Sequence, residues 1–330
     1  MKILVTGGTG FIGSHLVNFI REKEYTVRCL VRPTSNNDIL RDIGVEVVHG
    51  DITDMDSLFP ALDGVDIVYH LAAALDARNF SDATYDNTNV QGTRCLIEAA
   101  INNGGIRRFL YCSSVGVFTP SKQTIGEDAP YYQNPTNSYH RTKQEAEIIV
   151  RSYMERGNIP VTIIYPAAIV YGPRDFSNLL GMFRMISKGR YFIIGKGKNH
   201  IHQIYVKDLV RGMWMAGQSE EAAGQSYILA DKTPATIQML SEAIAKAVGK
   251  KLLPFHMPTI LARMLAMPIE TFGHIGRFSP PLSQPRIDTL TANRLYCTEK
   301  AFNQLGFITE ADLEESLRET AAWYIDNGHI

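Results

Sequence analysis

The stretch Thr6-Gly7-Gly8-Thr9-Gly10-Phe11-Ile12-Gly13 decides the fold of this 330-residue chain. It follows the apolar run 3–6, which is typical of a buried strand, and it opens a predicted helix at 14–23. In such a unit Gly7 allows a tight turn, Gly10 lets the backbone approach a pyrophosphate, and Gly13 lets helix and strand pack closely. The N–H groups at the helix N-terminus attract phosphate. The stretch therefore predicts a dinucleotide-binding turn, and the alternative is a glycine-rich turn without a ligand.

Short apolar runs alternate with amphipathic stretches through the first half of the chain. Strands are predicted at 3–6, 26–31, 45–49, 67–70, 109–112 and 161–165, and helices at 14–23, 37–42, 55–62, 93–102 and 138–156. Continuous apolar strands separated by helices indicate a parallel sheet that is covered on both faces and joined by right-handed crossovers. The predicted fold class is α/β, with a Rossmann-type doubly wound parallel sheet.

Beyond Pro166 the alternation weakens. Loops rich in glycine and proline are predicted at 171–175, 189–199 and 276–285, and helices at 236–248, 258–267 and 313–326. A strand at 226–230 is expected to return to the edge of the sheet. The pattern predicts a dinucleotide-binding domain of residues 1–165 joined by 201–230, and a smaller α/β substrate-binding lobe of residues 166–200 and 231–330.

Charge and cysteine content exclude several classes of function. The 33 basic and 34 acidic residues balance to a net charge of -1 without a basic stripe, so a nucleic-acid partner is not expected. The four cysteines form no C-x-x-C motif, which indicates free thiols and a cytoplasmic location. The sequence begins with a predicted strand rather than a signal peptide. The most apolar stretch, 260–272, is interrupted by Arg263, Pro268 and Glu270, so no transmembrane segment is expected.

Further motifs follow in a fixed order. They are His70-Leu71-Ala72-Ala73, Asn89-Val90-Gln91-Gly92-Thr93, Ser113-Ser114, the pair Tyr139 and Lys143, and Pro166 with Tyr171-Gly172-Pro173. With the glycines three apart, the chain resembles the extended short-chain dehydrogenase/reductase superfamily, the epimerase/dehydratase-like enzymes, over nearly its whole length. It is most similar to the 3β-hydroxysteroid-dehydrogenase and dihydroflavonol-reductase-like branch. The resemblance implies an NAD(P)-dependent enzyme with a small-molecule substrate, and a homodimer packed through the helices at 93–102 and 138–156.

The end of the second strand bears on which cofactor is used. An acid at this point would hold the ribose hydroxyl of NAD, and the chain has valine there, followed by Arg32. Arg32 suits the 2′-phosphate of NADP, so NADP is preferred over NAD; the alternative is a solvated surface arginine. The resemblance implies that the cofactor contacts Tyr139 and Lys143. It also implies contacts with Gly7, Thr9, Gly10, Phe11, Ile12, Gly13, Asp51, Ile52, Leu71, Ala72, Ala73, Pro166 and Ile169. Asp51 alternatively caps the helix that begins near Asp54.

Tyr139 and Lys143 are four residues apart in a predicted helix and therefore project from one face. A tyrosine has a pKa near 10, and lowering it by about three units requires about 4 kcal/mol from neighbouring positive charge. The pair predicts Tyr139 as general acid/base. The resemblance adds that Lys143 binds the nicotinamide ribose and that Ser114 holds the substrate oxygen. The alternatives are a chance Tyr–Lys pair and serines that cap a turn.

Departures from the family pattern narrow the reaction. Dehydratases of the superfamily carry an Asp-Glu pair where this chain has Val115 and Gly116, so dehydration is disfavoured. Nucleotide-sugar epimerases place an arginine where this chain has Ile201, and the other candidates for a diphosphate contact are Lys196, Lys198 and Arg277. His200 and His202 lie two apart on a predicted strand, which gives only two ligands, so no metal is expected.

The C-terminal region is rich in large apolar residues. They form either core or a hydrophobic pocket: Met257, Ile260, Leu261, Met264, Leu265, Met267, Phe272 and Phe278. The sequence predicts reversible oxidation of a secondary alcohol (EC 1.1.1) on an apolar substrate, steroid- or isoprenoid-like. A nucleotide-sugar epimerase (EC 5.1.3) that retains its cofactor is the alternative. A non-catalytic dinucleotide sensor is a third hypothesis, disfavoured because such members commonly lack the Tyr–Lys pair.

Overall fold

The computed structural model describes residues 1–75, 80–135, 137–276 and 283–330, and for Pro285, Arg286, Thr289 and residues 269–276 it describes the backbone alone. Its strands are β1 Lys2–Thr6, β2 Thr26–Val31, β3 Glu46–His49, β4 Ile67–His70, β5 Arg108–Cys112, β6 Val161–Pro166, β7 Ile169–Tyr171, β8 Ile193–Ile194, β9 His200–Ile201, β10 Gln203–Tyr205, β11 Gln225–Leu229, β12 Ala235–Thr236 and β13 His256–Met257. Its helices are α1 Phe11–Glu22, α2 Asp38–Ile43, α3 Met55–Leu62, α4 Asp82–Tyr85, α5 Gly92–Asn103, α6 Ser138–Glu155, α7 Leu180–Ser187, α8 Val206–Gln218, α9 Ile237–Ala247, α10 Thr259–Gly276, α11 Gln284–Thr291, α12 Glu299–Leu305 and α13 Leu313–Asp326.

Seven parallel strands form the main sheet, in the order β11-β6-β5-β4-β1-β2-β3. Its central strands are apolar and buried: Ile3, Leu4 and Val5 of β1 have no exposed surface. This is expected of a parallel strand that is covered on both faces. The predicted α/β class with a doubly wound parallel sheet is confirmed. The strand β11 lies at the sheet edge beside β6, where the predicted strand at 226–230 was expected.

Helices cover both faces of this sheet. Helix α1 packs with α2 and α8, and α5 packs with α3 and α6 on the other face. Strand β1 lies between β2 and β4, so the strand order changes direction at β1. In doubly wound sheets the loops at the carboxyl ends of the strands beside this change form the ligand crevice. The glycine turn follows β1, and the segments that follow β4, β5 and β6 lie along the same edge.

The later part of the chain is built from helices and very short strands. Strand β7 pairs with β10, β12 with β9 and β13 with β8, while α9 packs against α7 and α13. The hydroxyl groups of Tyr171 and Ser316 are 2.7 Å apart, and this hydrogen bond ties α13 to β7. The sequence patterns did not predict α7, α8, α11, α12 or most of these strands. Strands of two or three residues are too short for an alternating pattern to show.

Helix α10 is longer than predicted. It was expected to end at Met267 and it continues through Pro268 to Gly276. The side chain of Phe272 is not among those described, and Arg277 and Phe278 lie outside the described residues. Across the described ranges, no helix combines the length and the apolar character needed to cross a bilayer.

Candidate active site

The glycine turn is shaped by close backbone contacts. Gly7 has a φ of +75°, and a Cβ there would lie 2.7 Å from the backbone nitrogen of Ala72. A Cβ on Gly13 would lie 2.1 Å from the carbonyl oxygen of Gly7. Gly10 is the N-cap of helix α1 and has no side chain to cap it, and the first turn of the helix contains no acid. The turn therefore presents backbone N–H groups and the positive end of a helix dipole to the crevice, where an anion would bind.

A buried histidine supports the loop that follows β4. His70 lies between two hydroxyl groups, with Nδ1 2.8 Å from Thr6 Oγ1 and Nε2 2.9 Å from Thr93 Oγ1. Burial lowers the pKa of His70 to about 3, and the charge of Lys143 acts in the same direction. The imidazole is therefore neutral, with one nitrogen donating and the other accepting. This arrangement joins β1, β4 and α5 behind the half-buried residues Leu71, Ala72 and Ala73.

The same loop is held from the other side by Asn89. Asn89 lies in a π-helical turn, Asp86–Gln91, immediately before α5. Its Oδ1 accepts from the backbone nitrogen of Ala74 at 2.7 Å, and its Nδ2 donates to Thr142 Oγ1 at 3.0 Å. Thr142 precedes Lys143 on α6, so one amide side chain links the loop after β4 to the helix of the candidate acid/base.

Arg32, Asp51 and Ile52 follow the carboxyl ends of β2 and β3 at the sheet edge. Arg32 is exposed directly after β2, and Ile52 is buried against Gly92, where a Cβ would lie 2.6 Å from Ile52 Cδ1. Asp51 Oδ1 accepts from the backbone nitrogen and hydroxyl of Thr53 at 2.9 and 2.8 Å. The alternative that Asp51 caps α3 is wrong, because Asp54 is the N-cap and accepts from the nitrogen of Asp56.

Helix α6 carries both Tyr139 and Lys143, one turn apart. Lys143 is 4% exposed, and its Nζ donates to the carbonyl oxygen of Cys112 at 2.6 Å. The same Nζ lies 4.2 Å from the ring centroid of Tyr111. Burial lowers the pKa of Lys143 to about 8, and the charges of Cys112 and Glu147 oppose this shift. A buried cation is thus fixed at the end of β5, beside the predicted serines.

A buried carboxylate lies one further turn along α6. Glu147 has no exposed surface and accepts hydrogen bonds from Ser113 at 2.5 Å, Tyr131 at 2.9 Å and Arg151 at 3.0 Å. The hydroxyl of Tyr165 also donates to it. Four donors compensate the desolvation of this charge. The sequence did not point to a role for Glu147, although its spacing of four residues from Lys143 places the two on one face of the helix.

Ser114 begins a short 3-10 turn, Val115–Val117, directly after β5. Its Oγ accepts from the backbone nitrogen of Gly116 at 3.1 Å, which leaves its own proton available for donation. Gly116 touches the start of α6, since a Cβ there would lie 2.5 Å from Nε2 of His140. The ring of His140 is in turn 5.6 Å from that of Tyr139, centroid to centroid. The turn and the start of α6 are therefore in contact.

Two predicted contacts come from the segment after β6. Pro166 is buried at the end of β6, and Ile169 is half-buried at the start of β7. Nε2 of His15 on α1 is 2.8 Å from the carbonyl oxygen of Pro173, which draws the loop after β7 toward the glycine turn. The described chain therefore brings all of the predicted site segments to one edge of the sheet.

The segment that follows β8 differs from expectation in its two histidines. His200 and His202 do not share one strand: β9 ends at Ile201, His200 is exposed, and His202 is buried with Nδ1 accepting from the nitrogen of Tyr296 at 2.8 Å. Within the described part of the chain, no group of three side chains has the composition of a metal site. Lys196 and Lys198 are exposed.

Arg294 lies next to the position where epimerases carry their arginine. Ile201 at that position is buried, and it forms a parallel bridge with Arg294. The backbone nitrogen of Arg294 donates to the carbonyl oxygen of His200 at 2.8 Å. The backbone nitrogen of His202 donates to the carbonyl oxygen of Arg294 at 3.0 Å. No local pattern indicates this contact, because more than 90 residues separate the two segments.

The doubly wound sheet, the glycine turn and the Tyr–Lys helix define the extended short-chain dehydrogenase/reductase class. Comparison with known proteins agrees, since the model of the NAD dependent epimerase/dehydratase family matches residues 3–230. The chain belongs to this family.

Relatives of the chain include both dehydrogenases and epimerases. It is 26% identical over 338 residues to a 3β-hydroxysteroid dehydrogenase/Δ5→4-isomerase of Mycobacterium tuberculosis, covering 98% of this chain and 90% of that protein. It is 25% identical over 322 residues to the N-acetyl-alpha-D-glucosaminyl-diphospho-ditrans,octacis-undecaprenol 4-epimerase of Escherichia coli O157:H7, covering 97% and 94%. The crystal structure of UDP-glucuronic acid 4-epimerase from Bacillus cereus with UDP-glucuronic acid and NAD matches with a TM-score of 0.78 and 23% identity, covering 99% and 100%.

Proposed function

We propose that this chain catalyses the NADP-dependent, reversible oxidation of a secondary alcohol to a ketone (EC 1.1.1), on an apolar, steroid- or isoprenoid-like substrate. The observation that carries the proposal is the buried Lys143, which is held on the carbonyl of Cys112 one helical turn from Tyr139. A buried ammonium without a carboxylate in direct contact is costly, and such groups concentrate at functional sites.

In the reductive direction Tyr139 donates its phenolic proton to the substrate oxygen, and in the oxidative direction it takes that proton back. The ammonium of Lys143 favours the phenolate. Ser114 donates a hydrogen bond to the same oxygen, because its hydroxyl already accepts from Gly116 and keeps its proton free. When bound, the nicotinamide supplies or accepts the hydride.

The residues at the sheet edge fit a dinucleotide. The glycine turn leaves room that a side chain would fill, and the uncapped start of α1 favours an anion. We assign the pyrophosphate to the segment Thr9 to Gly13. We assign the adenosine end of the dinucleotide to Arg32, Asp51 and Ile52. We assign the nicotinamide end to Leu71, Ala72, Ala73, Tyr139, Lys143, Pro166 and Ile169.

The substitution Gly13→Ala tests the phosphate site. The new methyl group would overlap the Gly7 carbonyl oxygen at 2.1 Å, so the turn must shift. We expect a stability loss of about 1–3 kcal/mol and a clear loss of NADPH affinity in a fluorescence titration. Gly126→Ala is the control, since nothing lies within 4 Å of a Cβ there. Full NADPH affinity in Gly13→Ala would place the phosphates elsewhere.

Arg32→Ala is expected to weaken NADPH binding by about 10- to 150-fold, since a hydrogen bond to a charged group contributes about 1.5–3 kcal/mol. NADH binding should be unchanged, because NADH lacks the 2′-phosphate. Titration with NADPH and with NADH measures the ratio of the two affinities in the variant and in the wild type. Arg41→Ala removes another exposed arginine, on α2, and serves as the control. Equal effects on both nucleotides would contradict the NADP preference.

The dehydrogenase proposal is supported over dehydration by the turn after β5. Val115 is buried and Gly116 is packed against His140. Because valine and glycine have no ionisable side chain, neither position offers the acid and base that eliminating water requires. The similarity to a 3β-hydroxysteroid dehydrogenase over 98% of the chain supports an apolar alcohol. The retained pair of Tyr139 and Lys143 favours an enzyme over a dinucleotide sensor.

A nucleotide-sugar epimerase (EC 5.1.3) is the second candidate, favoured by the position of Arg294 beside Ile201. One experiment separates the two reactions. The purified protein is incubated with NADPH and a panel of steroidal ketones, and in parallel with UDP-sugars without added nucleotide. Net oxidation of NADPH by a ketone supports the dehydrogenase. Interconversion of UDP-sugars without net redox change would overturn it in favour of the epimerase.

We further propose a cytoplasmic homodimer with α5 and α6 at its interface. All four cysteines are free thiols, as is usual in a reducing compartment. Helices α5 and α6 pack side by side, and α6 exposes the large apolar side chain of Ile148. The substrate-binding lobe is assigned to residues 166–200 and 231–330, and the rest of the chain to the dinucleotide-binding domain.

A further inference from the structure

Helix α10 packs against the protein with its smallest side chains. Ala262 and Ala266, four residues apart, are fully buried, and they pack with Ile287 of α11 in a small separate cluster. Partly buried Ile194 and Met257 complete that cluster. A helix normally buries its largest apolar residues and leaves small ones at the surface, because the burial of apolar area drives packing.

The opposite face of α10 shows the reverse of that rule. Ile260 is 75% exposed and Met264 is 63% exposed, and the side chains of Leu261 and Leu265 are also exposed. These positions follow the spacing i, i+1, i+4 and i+5, so they form one continuous face. Leu253 and Phe255, just before the helix, are exposed as well. We call these six residues the α10 patch: Leu253, Phe255, Ile260, Leu261, Met264 and Leu265.

The charge of this segment is one-sided. From Gly249 to Pro268 the sequence contains two lysines and one arginine and no aspartate or glutamate. Lys250 and Lys251 are exposed and directly precede the apolar positions. Arg263, on the flank of α10, is paired with Asp288. Lys250 and Lys251 therefore place positive charge beside the α10 patch, and Glu270 is the first acidic residue further along the helix.

We propose that the α10 patch rests on the surface of an anionic lipid bilayer. Apolar side chains would enter the boundary between headgroups and acyl chains, and Lys250 and Lys251 would contact anionic headgroups. A two-fold contact between copies through this face would bring both lysine pairs to one interface, which disfavours self-association. The proposal concerns attachment to a surface, not a spanning helix, and it does not depend on the reaction proposed above.

Vesicle flotation of the full chain tests the proposal. The protein is mixed with vesicles of phosphatidylglycerol and phosphatidylcholine in equal parts, or of phosphatidylcholine alone. Binding is expected on the first and not on the second, and it should weaken with salt. The variant Lys250→Gln/Lys251→Gln should bind about 30-fold more weakly at low salt, since each lysine near an anionic surface contributes about 1 kcal/mol. The variant Ile260→Ser/Met264→Ser/Leu265→Ser should lose binding.

A matched control replaces exposed apolar residues elsewhere: Phe59→Ser/Phe302→Ser/Ile325→Ser. This variant should bind vesicles like the wild type, and light scattering and thermal melts check the state of each protein. Failure of the wild type to float with anionic vesicles would overturn the proposal. Equal loss in the control would also overturn it. A wild-type oligomer that the α10 variant alone converts to monomer, without vesicle binding, would assign the patch to a second copy of the chain.

Discussion

Phenylalanine in place of Tyr139 is expected to lower kcat by about 10²- to 10⁴-fold, because the variant has no phenolic proton to exchange with the substrate oxygen. The ring contact with His140, at 5.6 Å between centroids, does not involve the lost hydroxyl, so the start of α6 should keep its packing. The rate of NADPH oxidation by a steroidal ketone measures the loss. NADPH affinity should be retained.

Tyr153→Phe is the matched control for this experiment. Tyr153 lies on the same helix, and its hydroxyl donates to Glu98 on α5 at 2.5 Å, away from the crevice. Its removal should leave kcat unchanged. If Tyr139→Phe turned over at the wild-type rate, the acid/base assignment would be wrong. If both variants lost activity equally, the effect would come from the packing of α6.

The variant Lys143→Met is expected to lose activity and to gain stability. Burial moves the pKa of Lys143 from 10.5 to about 8. At neutral pH this shift corresponds to a cost of about 3 kcal/mol for burying the charged ammonium in the folded state. Methionine is similar in length and removes that cost. It also leaves the carbonyl of Cys112 without its hydrogen bond, a loss of about 1 kcal/mol. The net gain is therefore about 2 kcal/mol.

The pH dependence of this gain identifies its cause. Since the pKa of Lys143 is lower in the folded than in the unfolded state, the unfolded chain holds an extra proton between about pH 8 and 10.5. Wild-type stability therefore has a contribution that rises with pH across that window, and the variant lacks it. Thermal melts should show the variant more stable below pH 8, and above pH 10.5 it should be less stable than the wild type by about 1 kcal/mol, because only the lost hydrogen bond to Cys112 then separates the two proteins. A difference that stayed constant with pH would mean that packing, not charge, separates the two proteins.

The first half of the fold was predictable because each element carries its own signal. Strand β4, Ile67–His70, is buried on both faces. Its run of apolar and aromatic residues predicts a buried strand without information from the rest of the chain. The turn Gly7 to Gly13 is equally local. A Cβ on Gly13 would lie 2.1 Å from the carbonyl oxygen of Gly7, so the backbone of this turn leaves no room for a side chain at position 13.

The buried polar groups around the site were not predictable from local pattern. Glu147 on a helix resembles a surface residue, and it is buried because Ser113, Tyr131 and Tyr165 arrive from other elements. The same is true of Arg294 beside Ile201, whose contact depends on how α11 returns to the lobe. Such contacts join residues that are distant in sequence, and a single amino-acid sequence carries no local record of them.

The contact between Gly116 and His140 also restricts how this protein could evolve. A carboxylate introduced at position 116 would require the imidazole to move first, since even a methyl group would sit 2.5 Å from its Nε2. Acquisition of water-eliminating chemistry at this turn would therefore couple a new acid at 116 to a new position of the His140 ring. The Asp-Glu pair of dehydratases also needs an acid in place of Val115, so no single substitution supplies both groups, and laboratory selection for that activity should recover changes at 115 and 116 together.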